Sequence, residues 1–207
     1  MLGFYNYTVI LTYIGMLIGV FGMTRAMQGD LNGALFCLML AGFCDMFDGK
    51  IASTKVRTQS EKRFGIQIDS LSDLLCFGAL PALIVHSIAP QNALALLVAG
   101  MYVLCALIRL AWFNVDEEER QNHSVLPREY YLGLPVTTIA LFLPALLGLG
   151  QLCHWQLLIV GIVILAVAGM AFLVPFRMKK PQMSGKIGML LCGFGEVVIL
   201  LMGANSL

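Results

Sequence analysis

Charge is what this 207-residue chain has least of: 12% of its residues are Asp, Glu, Lys or Arg. A soluble domain carries about 25%. The deficit excludes an ordinary soluble fold, and the 59% hydrophobic content points the same way. The formal net charge of +1 gives no basis for nucleic-acid binding. No CxxC or His–Cys cluster occurs. The six cysteines, Cys37, Cys44, Cys76, Cys105, Cys153 and Cys192, are scattered through apolar segments and read as small packing residues, not zinc ligands or a disulfide framework. His86, His123 and His154 are isolated and lack ligand spacing. There is no linker or low-complexity tract, so one domain over 1–207 is expected. The N-terminal stretch lacks a basic n-region and a clear cleavage site, so the first apolar segment is expected to remain as a membrane helix.

What the chain does have is apolar runs long enough to span a bilayer as helices. Seven are expected, at about 7–27, 31–53, 65–88, 92–115, 132–150, 155–175 and 185–204. The fold class is therefore an all-α integral, multi-pass membrane protein. Twelve of the 13 Lys and Arg lie in or beside the even-numbered connections: Lys50, Lys55, Arg57, Lys62, Arg63, Arg109, Arg120, Arg128, Arg177, Lys179, Lys180 and Lys186. Arg25 stands alone on the other side. By the positive-inside rule those connections face the cytoplasm.

The remaining charge is concentrated where it is most costly. Asp45 and Asp48 stand three apart in one apolar segment, and Asp69 and Asp73 stand four apart in the next. On helices these spacings place each pair on one face. Two facing helices would bring four carboxylates to one point near the cytoplasmic end. Carboxylates so grouped repel one another, and burial adds to the cost. A divalent cation relieves both, and hard oxygen donors suit Mg²⁺ or Mn²⁺, with two ions plausible for four carboxylates.

Around this centre, Gly49 would either admit a ligand to the backbone or serve helix packing. Gly15, Gly19 and Gly22 form a small-residue stripe on the first helix, where close helix contact is expected. Gly65 is expected to open the third helix and Pro81 to bend it. The connection at 54–64 supplies either a basic rim for a phosphate-bearing substrate or topology-setting charge. The acidic run 116–119 reads as a solvated loop. Arg109 lies inside an apolar stretch and needs an anion: an Asp of the cluster, a phosphate or a substrate carboxylate. Asn114 follows it. Glu196 interrupts the last apolar run.

The pattern Asp45-x-x-Asp48-Gly49-x-x-Ala52, then Gly65-x-x-x-Asp69-x-x-x-Asp73, resembles the signature of the CDP-alcohol phosphotransferase family. That resemblance implies a six-helix membrane core, here with one added C-terminal helix, and a homodimer. It also implies a divalent-metal site that transfers a phosphoryl-linked alcohol from a CDP-alcohol to a second alcohol and releases CMP. TQSE at 58–61, FGIQIDSLSDLLCFGALPA at 64–82, RLAWFN at 109–114 and GLPV at 133–136 are similar to the branch using CDP-diacylglycerol and serine. By this resemblance Asp45, Asp48, Asp69 and Asp73 ligate metal, and Asp73 is also the general base. Gly49, Ala52, Gly65 and one or more of Lys50, Lys55 and Arg57 would bind the CDP moiety, and Arg109 and Asn114 the acceptor. The family has an arginine after the motif alanine, where this chain has Ser53. Other acceptors (glycerol 3-phosphate, inositol, inositol phosphate) and, from another class, a divalent-cation transporter or a non-catalytic scaffold are the rival readings.

Overall fold

The computed structural model describes residues 3–123, 130–179 and 183–204. Its helices are α1 (Tyr7–Met27), α2 (Leu31–Ala52), α3 (Gln59–Asp73), α4 (Leu80–Ile88), α5 (Ala93–His123), α6 (Ile139–Leu152), α7 (Leu157–Leu173) and α8 (Met183–Ala204). A π-helical segment, Leu74–Ala79, joins α3 to α4 in one continuous rod. Two short strands, β1 (Tyr130–Leu132) and β2 (Arg177–Lys179), pair antiparallel, with Tyr131 opposite Met178. Three rods are long and apolar enough to cross a membrane: Tyr7–Met27, Gln59–Ile88 and Ala93–Arg120. Shorter apolar helices cover Val136–Leu152, Leu157–Leu173 and Gly188–Met202. The protein is an all-α membrane protein.

The α1 glycine stripe does what its spacing implies. A Cβ at Gly19 would stand 2.5 Å from Cys76 Sγ, and one at Gly22 would stand 2.7 Å from Cys37 Cβ. These glycines let α1 lie directly on α2 and on the α3–α4 rod. Gly42 does the same for α2 against α6, where a Cβ would stand 2.7 Å from Ala140 Cβ. The two Asp-bearing rods are thus drawn onto a common neighbour.

Several boundaries differ from those expected. The third rod starts at Gln59, because Thr58 and Glu61 form a reciprocal capping box. Gly65 is accordingly a full turn inside the helix. The region 116–119 is not a loop: α5 continues to His123. Glu117 holds Arg120 at 2.6 Å one turn on, and Glu118 pairs with Arg63 of α3. With cations at helical spacing and on the neighbouring rod, the acidic run is stable as helix. The fifth span is shorter than expected. Residues 130–132 are strand and Val136–Thr138 is a 3₁₀ turn, because Pro135 and the positive φ of Gly133 (79°) prevent an earlier helix start. The β1–β2 pair and the Arg63–Glu118 pair bring the second, fourth and sixth connections to one end of the bundle. Arg128 and Lys180, counted among the basic residues above, lie outside the described residues.

Pro81 is accommodated by the π-helical segment that precedes it. Proline has no amide to offer the carbonyl four residues back, that of Phe77. The Tyr102 hydroxyl of α5 donates to that carbonyl instead, at 2.6 Å, with Tyr102 1% exposed. Tyr102→Phe is expected to lower stability by about 1–3 kcal/mol, the cost of a buried acceptor left unmade. Thermal unfolding in detergent reads this, and an unchanged midpoint would count against the bond.

Candidate metal and acceptor site

α2 presents Asp45 and Asp48, and α3 presents Asp69. Carboxylate oxygens of these three lie within 4.8 Å of one another. Asp73, one turn beyond Asp69, borders the same space. With Asp45 and Asp69 it walls a cleft of about 160 Å³, closed on the other side by Arg109, Leu110, Phe113, Pro135, Val136 and Thr137. Asp45, Asp48 and Asp73 also border a tighter pocket against α1, beside Thr12 and Ser72. The four aspartates therefore surround one region between α2 and the α3 rod.

The donor set is all carboxylate oxygen, with no thiol or imidazole in the group. Three carboxylates this close repel unless a cation sits among them, and that composition fits a hard divalent ion. Asp45, Asp48 and Asp69 are the residues that would hold it.

Thr12 was not legible as a site residue. It is buried on α1, and its hydroxyl donates to Asp48 Oδ2 at 3.1 Å. The bond fixes one carboxylate from behind, as outer-shell donors do around metal ligands. Its only sequence signal is a hydroxyl within an apolar helix, four residues after Thr8. Thr12→Val is expected to raise the divalent-ion concentration for half-maximal activity by about 10–100-fold with little effect at saturating ion. A metal titration showing no shift would remove Thr12 from the site.

Arg109 is 7% exposed and reaches the cleft from α5. Its Nε donates to the Leu134 carbonyl at 3.3 Å, and its guanidinium stands 6.0 Å from the Phe113 ring centroid. The 133–137 loop that it touches is pinned from below: Gly133 N donates to Phe176 O at 2.7 Å, and Leu134 N to Ala171 O at 3.4 Å. A Cβ at Gly133 would meet Val174 O at 3.1 Å, and its φ of 79° is one that L side chains rarely adopt, so the pinning favours glycine. The GLPV stretch is thus a fixed wall facing the aspartates. Thr137, which carries no signal of its own in the sequence, continues it.

The other candidates are placed as follows. Gly49 is exposed, and among the described residues of this chain a Cβ there would meet nothing within 4 Å. Ala52 is half-buried at the end of α2, and Lys50 is exposed beside it. Ser53 caps that end, its hydroxyl donating to Lys50 O at 2.7 Å. Lys55 is paired with Glu61 at 3.1 Å. Arg57 lies over Gly65, its Nη1 3.1 Å from the position of a Cβ there. Asn114 accepts from Ser70 Oγ at 2.7 Å, bridging α5 to α3, and is not among the residues walling the cleft.

Residues 5–172 match the CDP-alcohol phosphatidyltransferase family. The matched stretch runs through α7 and leaves α8 outside it. Among similar proteins, the CDP-diacylglycerol–serine O-phosphatidyltransferase of Saccharomyces cerevisiae is 38% identical over 108 residues, 51% of this chain and 38% of that protein. The archaetidylserine synthase of Methanothermobacter thermautotrophicus is 34% identical over 110 residues, 53% of this chain and 47% of that protein. The Bacillus subtilis CDP-diacylglycerol–serine O-phosphatidyltransferase is 28% identical over 134 residues, 63% and 70% of the two chains. The match spans less than half the length of the yeast and archaeal relatives. With its signature aspartates gathered around one cleft and more than half of its length matched, the chain belongs to the CDP-alcohol phosphatidyltransferase family.

Proposed function

We propose that this protein transfers the phosphatidyl group of CDP-diacylglycerol to the hydroxyl of L-serine, releasing CMP. The observation that carries the reading is a single cleft with acidic side chains on one wall and a buried arginine on the other. The family supplies the reaction class, and the names of the yeast and Bacillus relatives supply the acceptor.

In this reading Asp45, Asp48, Asp69 and Asp73 would hold Mg²⁺ or Mn²⁺, two ions in all. The bound ions would neutralise charge on the diphosphate as the anhydride bond breaks. Gly49 and Ala52 leave room for the cytidine end, and the basic residues after α2 face the phosphates. Arg109 takes the serine carboxylate, held in orientation by Phe113 and the Leu134 carbonyl. Asp73 then receives the serine hydroxyl proton as that oxygen attacks the lipid-linked phosphorus. The phosphorus–oxygen bond to CMP breaks, and CMP leaves with the electron pair. Holding both substrates in one cleft supplies much of the rate. The active site faces the cytoplasm of a cell membrane, from the basic-residue asymmetry, and the protein works as a homodimer within lipid.

The test is an acceptor panel. Purified protein, CDP-diacylglycerol and Mg²⁺ or Mn²⁺ are supplied with serine, glycerol 3-phosphate, inositol or inositol phosphate, and CMP is measured. Serine-dependent release is expected. Release with another acceptor and none with serine would overturn the acceptor, and metal flux in liposomes without any CMP release would favour a transporter.

A further inference from the structure

Glu61 makes more contacts than a helix cap requires. Its Oε2 accepts from Thr58 N at 2.8 Å and from Thr58 Oγ1 at 3.1 Å, which completes the cap. Its Oε1 accepts from Asn6 Nδ2 at 3.0 Å and from Lys55 Nζ at 3.1 Å. The side chain is 14% exposed. Asn6 is itself the N-cap of α1, and Phe4 packs edge-on against Phe64 with centroids 5.4 Å apart. Three separate pieces of chain therefore meet at one carboxylate: the lead into α1, the α2–α3 connection and the first turn of α3.

Between the two connection residues that Glu61 holds, Lys55 and Thr58, stands Arg57. It is half-buried and has no acidic partner among the described residues. Its guanidinium rests over Gly65. Gly65, Asp69 and Asp73 recur every four residues, so they share one helix stripe. Arg57 thus extends the acidic stripe by a cation at its outer end. Lys55, by contrast, is already neutralised.

We infer that Glu61 is a positioning residue: it ties down the 53–58 connection so that Arg57, and not Lys55, meets the diphosphate of the CDP-linked lipid. The inference rests on the proposed function for the identity of that anion. It also assigns a purpose to the lead into α1, which acts through Asn6 as a strap on the connection.

The experiment measures the Kd of full-length protein for CDP-diacylglycerol in detergent micelles, and in parallel the KM for that lipid and for serine. Glu61→Ala and Arg57→Ala are each expected to weaken Kd and raise the lipid KM about tenfold or more, as loss of a charge-assisted contact does. The serine KM should stay within about twofold. Glu61→Gln can still close the capping box and accept from Asn6, so it should recover most of the Glu61→Ala loss. Glu61→Ala combined with Arg57→Ala should be no worse than Arg57→Ala alone, because both act on one contact. Wild-type affinity in Glu61→Ala, multiplying losses in the double variant, or a loss that follows Lys55→Ala in place of Arg57→Ala would each overturn the inference. A wild-type protein that binds the lipid yet releases no CMP would overturn the proposed reaction, while the Kd series still decides the role of Glu61.

Discussion

Asp73→Asn is expected to lower serine-dependent CMP release by about 10²–10⁴-fold, the range that a positioned general base contributes. The lipid Kd should change far less. The substitution is nearly isosteric and keeps one oxygen donor, but the amide cannot take a proton. Asp73 makes no side-chain capping bond to the π-helical segment that follows, so no cap is lost. The carboxylate borders both the pocket against α1 and the cleft facing Arg109, so it is placed between the acidic cluster and the acceptor wall. Steady-state CMP release and lipid affinity, measured on the same preparation, separate loss of chemistry from loss of binding. Turnover within tenfold of wild type would remove Asp73 from the role of base.

The second large effect concerns the ion. EDTA is expected to abolish turnover, and added Mg²⁺ or Mn²⁺ to restore it. Asp69→Asn should raise the ion concentration needed by more than the 10–100-fold that an outer-shell change costs. A stability readout goes with this and has a definite sign. Three carboxylates with oxygens within 4.8 Å repel when no ion is present. Asp69→Asn removes one of the like charges, so it should raise the unfolding temperature in EDTA. With saturating divalent ion the order should reverse, because the wild type then gains more from binding. Activity indifferent to EDTA, together with identical unfolding curves in both conditions, would mean that the cluster holds no ion.

Much of this site could be read from local spacing. Asp45 and Asp48 share a helix face because they are three apart, and Asp69 and Asp73 because they are four apart; that follows from helical geometry alone. The α1 glycine stripe likewise pointed to close packing before any neighbour was known. For other residues the partners are distant, and no local pattern reveals them. The run 116–119 resembles a loop until Arg63 is seen beside Glu118. Asn114 follows Arg109 in sequence, yet it accepts a bond from Ser70 on another helix. Lys55 and Arg57 are alike in sequence as cations beside the cluster, and only the fold shows that Lys55 is paired with Glu61. Gly49 has open space around it among the described residues, which its place in the sequence does not reveal.

The sequence by itself determined the membrane class, the helical character and the pairing of acids along each rod. These depend on composition and on neighbours three or four residues away. Only the tertiary structure decided what stands behind and opposite those acids. Thr12 reaches Asp48 across 36 residues, and the 133–137 wall is held in place by bonds to the last turn of α7 and to the residue Phe176 beyond it. Such contacts are set by how closely rods approach and how they are rotated against one another, which glycine-lined packing fixes in space and no short-range pattern encodes.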